Sequence, residues 1–144
     1  MVFKQCWYDD KLGVSRVKVE HLGKTFYGEA KLHPSDKDRA SEIVGCKYAE
    51  ARAQIKALKY EMKLEKAKCE ECRKFVKACE SCKKFDKESQ TAKAVYRQLS
   101  RRIKKVNALA DEINGLYEYI LKDIAQRDKF LKDVEEKKKG VKKD

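Results

Sequence analysis

The residues best able to do chemistry are four cysteines in fourteen positions, Cys69-Glu-Glu-Cys72 and Cys79-Glu-Ser-Cys82. Thiolates are soft ligands, and two C-x-x-C pairs at this separation are the pattern of a tetrahedral zinc centre. Geometry limits how they can meet. On one unbroken helix, Cys69 and Cys82 would lie roughly 19.5 Å apart along the axis. Four sulfurs around one zinc lie about 3.8 Å from one another. A single metal therefore requires the chain to reverse within residues 73–78, with Cys69, Cys72, Cys79 and Cys82 as a structural zinc clip. Four thiolates would leave no open position for catalysis. Arg73, Lys74, Lys77, Lys83 and Lys84 would offset the net negative charge of such a centre. Phe75 and Val76 would then be displayed at the tip as candidates for partner contact. A redox or disulfide pair is the competing use of the same thiols. The remaining cysteines, Cys6 and Cys46, read as small buried residues.

A second constellation is basic. Residues 96–105, YRQLSRRIKK, place Arg97, Arg101, Lys104 and Lys105 on one helical face, with Arg102 to its side. Few acids lie nearby. Such a stripe tracks phosphates or an acidic protein face, or it is the solvated side of a coiled coil. His21 and His33 stand at no ligand spacing to the cysteines. The sequence has no glycine-rich phosphate loop, no H-E-x-x-H and no nucleophile–base set, so the expectation is a protein that is not an enzyme.

The elements that must position these groups are an N-terminal sheet and long helices. Residues 1–33 alternate in the manner of three short strands, punctuated at Asp10–Gly13 and Leu22–Lys24. This predicts an antiparallel β-meander with one face covered by helix. Pro34 closes that region, and Ser35–Asp38 has the form of a helix start. A seam with steps of three and four then runs Val44, Tyr48, Ala51, Ile55, Leu58, Met62, Glu65, Cys69, Cys72. It resumes at Phe85, Ser89, Ala92, Tyr96, Leu99, Ile103, Val106, Ala110, Ile113, Tyr117, Ile120, Ile124, Arg127, Leu131 and Val134. Asn114-Gly115 is the one plausible break: the unbroken phase argues for one helix, and the Asn-Gly pair argues for a turn.

The expected fold is thus α+β and mainly α, an antiparallel helical hairpin with the meander packed on it. Its parts are the meander at 1–33, a first helix at 34–68, a zinc-binding tip at 69–82, a second helix at 83–138 and a disordered tail at 139–144. The chain has 144 residues, 42% of them charged, and a net charge of +12. That balance favours long solvated helices over a large core, and it attracts polyanions or acidic surfaces. The start lacks a basic segment followed by an apolar run, and no stretch is long enough to span a membrane, so a cytoplasmic protein is expected. The protein is expected to be a monomer or a homodimer.

Residues 26–59, FYGEAKLHPSDKDRASEIVGCKYAEARAQIKALK, resemble a strand-to-helix module in small proteins of phages and prophages of Gram-positive bacteria. The features carrying the likeness are Tyr27–Ala30, His33-Pro34, Asp36–Asp38, Ser41-Glu42, Gly45-Cys46 and Ala49–Arg52, about a quarter of the chain. With the cysteine pattern added, the chain resembles phage-encoded anti-CRISPR metalloproteins. The resemblance implies a binding protein that occupies Cas9 and blocks capture or cleavage of target DNA inside the bacterial host. The positive charge departs from the acidic DNA-mimic style, which leaves contact with an acidic or mixed protein face, or competition for nucleic acid. The alternative is a basic, zinc-containing phage protein that binds nucleic acid directly.

Overall fold

In the computed structural model, residues 1–9, 13–31 and 39–142 are described, with side chains for all of these but 3–4, 39–44 and 123–142. Three strands precede two helices: β1 (Val2–Asp9), β2 (Val14–His21), β3 (Lys24–Lys31), α1 (Arg39–Glu80) and α2 (Gln90–Lys142). The sheet is an antiparallel meander of order β1-β2-β3. The β2–β3 connection is the two-residue loop Leu22-Gly23, with φ of 51° and 76°. Two successive left-handed residues give the loop a twist that matches the strands. Between Phe3 and Gln5 the register with β2 slips, making Lys4 the extra residue of a bulge.

One face of the sheet is apolar by alternation. Ser15, Val17 and Val19 of β2 and Gly28 and Ala30 of β3 are buried, and they meet a stripe of small residues on α1. Ala49, Ala53 and Ala57 repeat every fourth position and are fully buried. The sheet can come this close only because Gly28 has no side chain: a Cβ there would land on the Ala49 carbonyl oxygen. Gly45 plays the same part opposite the Ser15 hydroxyl, where a Cβ would lie 2.6 Å from Oγ.

The seam expected from the heptad pattern is a different face of α1. Tyr48, Ala51, Ile55 and Leu58 are buried, with Leu109, Ile113 and Ile120 of α2 in the same cluster and Met62 and Leu116 at its margin. Cross-pairs fix the direction. Lys59 meets Tyr117, Glu65 meets Lys105 and Glu80 meets Tyr96, so the helices run antiparallel. Helix α1 is therefore central, with the sheet on one side and α2 on another.

The boundaries differ from those expected. Helix α1 extends to Glu80, and α2 begins at Gln90, not 83. It passes through Asn114-Gly115 without a break, since Gly115 is exposed and an isolated glycine in a helix costs only about 1 kcal/mol. The helix also takes in residues 139–142, assigned from sequence to a tail. The expected start signal at Pro34–Asp38 lies outside the described residues. No helix among the described residues is long and apolar enough to cross a membrane.

Candidate functional site

Between Cys46 and Glu80 there is no glycine or proline, and Lys, Glu, Ala and Arg predominate, so nothing stops α1 at Cys69. The reversal comes later, over Ser81–Ser89. Ser81 N–H still donates to the Lys77 carbonyl at 3.0 Å, and Cys82 N–H donates to the Cys79 carbonyl at 3.1 Å in a tighter turn. Ser89 then caps α2. Its Oγ accepts the Ala92 N–H at 3.1 Å and donates to the Asp86 carbonyl at 2.8 Å. Ser89, a polar residue in the expected seam, is thus a helix cap.

The cysteines are placed by that geometry. Cys69 is buried, Cys72 and Cys79 are half-buried, and Cys82 is exposed. All four are free thiols. Cys69 and Cys79 share one helix, ten residues and about 15 Å apart. The condition for a single four-cysteine centre, a reversal within 73–78, is not met, and the four thiols do not fit one zinc along this chain path. Among the described residues, no three His, Cys, Asp or Glu side chains converge as a metal would need. Of the two tip residues expected to be displayed, Phe75 is exposed, but Val76 is buried. The i, i+3 and i+7 steps from Cys69 put Cys72 and Val76 on the same inward stripe.

A bonded pair exists elsewhere. Cys6 of β1 and Cys46 of α1, expected to be small buried residues, are half-buried and joined as a disulfide, with Cα atoms 6.4 Å apart. No spacing in the sequence points to this pairing. It depends on the edge strand β1 being laid against the start of α1.

Glu65, another polar residue in the expected seam, is buried between the helices. Its Oε1 lies 3.1 Å from Lys105 Nζ and 3.4 Å from Lys68 Nζ. Burial alone would raise its pKa. Hydrogen bonding and charge from Lys105, then Lys68, outweigh burial and hold the carboxyl below its ordinary value.

That contact also revises the basic stripe. Arg97, Arg101 and Lys104 are exposed, as is Lys93. Arg102 is half-buried toward the seam, and Lys105 leans in to Glu65. Residues 89–110 contain Lys93, Arg97, Arg101, Arg102, Lys104 and Lys105 and neither Asp nor Glu. Lys93, Arg97, Arg101 and Lys104 fall within about 80° of helical rotation on the side opposite the seam. His21 serves the fold, with Nε2 2.7 Å from Glu61 Oε2, and His33 lies outside the described residues.

No protein-family model matches the chain, and neither a curated protein nor a solved structure matches it.

Proposed function

We propose that this protein works by binding, without catalysis, and that the outward face of α2 lies along the phosphate backbone of a nucleic acid. The observation that carries this reading is the stretch 89–110, with six cations and no acid. Four of those cations project away from the bundle. A coiled-coil face that merely needs solvation normally alternates its charges; this one does not. Lys93 to Lys104 spans about 16 Å of helix, and the guanidinium forks of Arg97 and Arg101 match phosphate oxygens. The helix beneath is fixed by its seam against α1, so the cations stand on a firm support.

The test is binding of a fluorescent double-stranded oligonucleotide at several salt concentrations. Replacing Arg97, Arg101 and Lys104 together by Glu should weaken binding by at least about tenfold and flatten the logarithmic salt slope by about 2–3. Unchanged affinity with intact thermal stability would return the stripe to a solvated face.

The narrower reading is a phage-encoded inhibitor of Cas9, and it rests on the sequence resemblance. The same face supports it through competition: a guide-loaded effector holds its RNA–DNA heteroduplex in a positively charged channel, and a second basic protein would compete for that nucleic acid. Its test is co-migration with guide-loaded Cas9, with DNA cleavage read on the same sample. Co-migration with loss of cleavage favours this reading; free migration favours binding to nucleic acid alone.

A further inference from the structure

Strand β3 is an edge of the sheet, and its outer side lies along α1, with Tyr117 of α2 across the groove. The carbonyls of Tyr27 and Glu29 point out of that edge. Lys56 Nζ donates to the Tyr27 carbonyl at 2.8 Å, and an Arg52 guanidinium nitrogen donates to the Glu29 carbonyl at 2.6 Å. Three residues further along α1, Lys59 Nζ donates to the Tyr117 hydroxyl at 2.6 Å and sits 5.1 Å from the centre of that ring. These groups, with Ile55 at the base, line an open groove of about 340 Å³.

Two features of the groove bear on what it can hold. First, its three cations are spaced i, i+4 and i+7 along one face of α1, and the acceptors named above are all neutral oxygens. The one carboxylate among the described residues of the lining, Glu29, lies 3.0 Å from Arg16 Nε on the neighbouring strand. The positive charge of Arg52, Lys56 and Lys59 is therefore not offset within the groove. An anion would replace neutral acceptors by charged ones, adding opposite-charge attraction to hydrogen bonds whose donors are already cationic. Second, the flanking Tyr27 and Tyr117 are 50% and 40% exposed, so much of each tyrosine is open to a ligand. Aromatic faces of this kind stack on flat rings.

We propose that this groove binds a nucleoside phosphate, with the phosphate on Arg52, Lys56 and Lys59 and the base against Tyr27 or Tyr117. The volume lies at the lower end of small-molecule sites, which suits one nucleotide. The groove is separate from the outward stripe of α2, and the proposal does not depend on it.

The experiment is calorimetric titration of the full chain with adenosine 5′-monophosphate, with orthophosphate and adenosine titrated alongside. The nucleotide should bind more tightly than either control. Lys59→Met, and Tyr27→Leu combined with Tyr117→Leu, should each weaken it by about tenfold, near 1.4 kcal/mol, with thermal melting showing that both variants fold. Arg97→Glu with Arg101→Glu should leave it unchanged. A nucleotide that does not bind, that binds no better than orthophosphate, or that binds both groove variants as well as the original would overturn the proposal. A 5′-phosphorylated oligonucleotide that outcompetes the free nucleotide, while its unphosphorylated form does not, would make the ligand a strand end.

Discussion

The two ends of α1 use cysteine in opposite ways. Near its start, Cys46 is bonded to Cys6 and ties strand β1 to the helix. Near and just past its end, Cys69, Cys72, Cys79 and Cys82 are free, and they run from buried at Cys69 to exposed at Cys82. The surroundings differ as much. At the base, α1 is enclosed by the sheet on one face and α2 on another, through residues with almost no exposure. At the tip only α2 is present, and between 70 and 80 only Val76 is buried. Stability should follow that gradient, since local opening is easiest where few apolar contacts hold the chain.

The largest effect should come from the tightest contact at the base. Gly28→Ala puts a methyl group on the Ala49 carbonyl, which neither backbone can yield without parting sheet from helix. We expect a loss of about 3 kcal/mol or more, read by denaturant unfolding. Next is the disulfide. Cys6→Ser should cost about 2–4 kcal/mol without reductant and little with it, because the cross-link restricts a loop of the unfolded chain. Equal stability with and without reductant in the parent chain would remove this asymmetry between the two ends.

Glu65 lies between the two regimes. Glu65→Gln should cost about 1 kcal/mol at neutral pH. The folded carboxyl is held below its ordinary value of 4.5, so its contribution is present above that value. It is lost as pH falls through the lower folded value. The difference between parent and variant should therefore narrow below about pH 4.5. The smallest effect belongs to the tip: Phe75→Ser, at a residue 58% exposed, should change stability by less than about 0.5 kcal/mol. Hydrogen exchange sharpens the same contrast. Amides of 73–80 should exchange through openings of lower free energy than those of 49–58, and equal protection would mean that the hairpin opens as one unit.

Much of this architecture is legible in the residues. Alternating strands, the Leu22-Gly23 loop and a seam of three- and four-residue steps need only local periodicity, and period is a property of the chain itself. The Ala49–Ala53–Ala57 stripe is also present in the sequence, but small residues carry little hydropathy signal. Their importance appears only when Gly28 of the sheet is set against them. The basic face of α2 is legible as spacing, although Lys105 leaves it once Glu65 is found to lie opposite.

What tertiary structure alone decided was pairing across distance. Cys6 meets Cys46 because a strand and a helix forty residues apart in sequence are packed together. Arg52, Lys56 and Lys59 face Tyr27 and Tyr117 because three elements converge at the edge of β3. The cysteine motif marks the limit of local reading. A metal-type spacing implied a reversal at 73–78, yet four of the six intervening residues (Arg73, Lys74, Lys77 and Ala78) are good helix formers, and no glycine or proline is there to end α1. Residue types determined which groups could act. The path of the backbone, set by helix propensity and by the seam against α2, decided which of them meet.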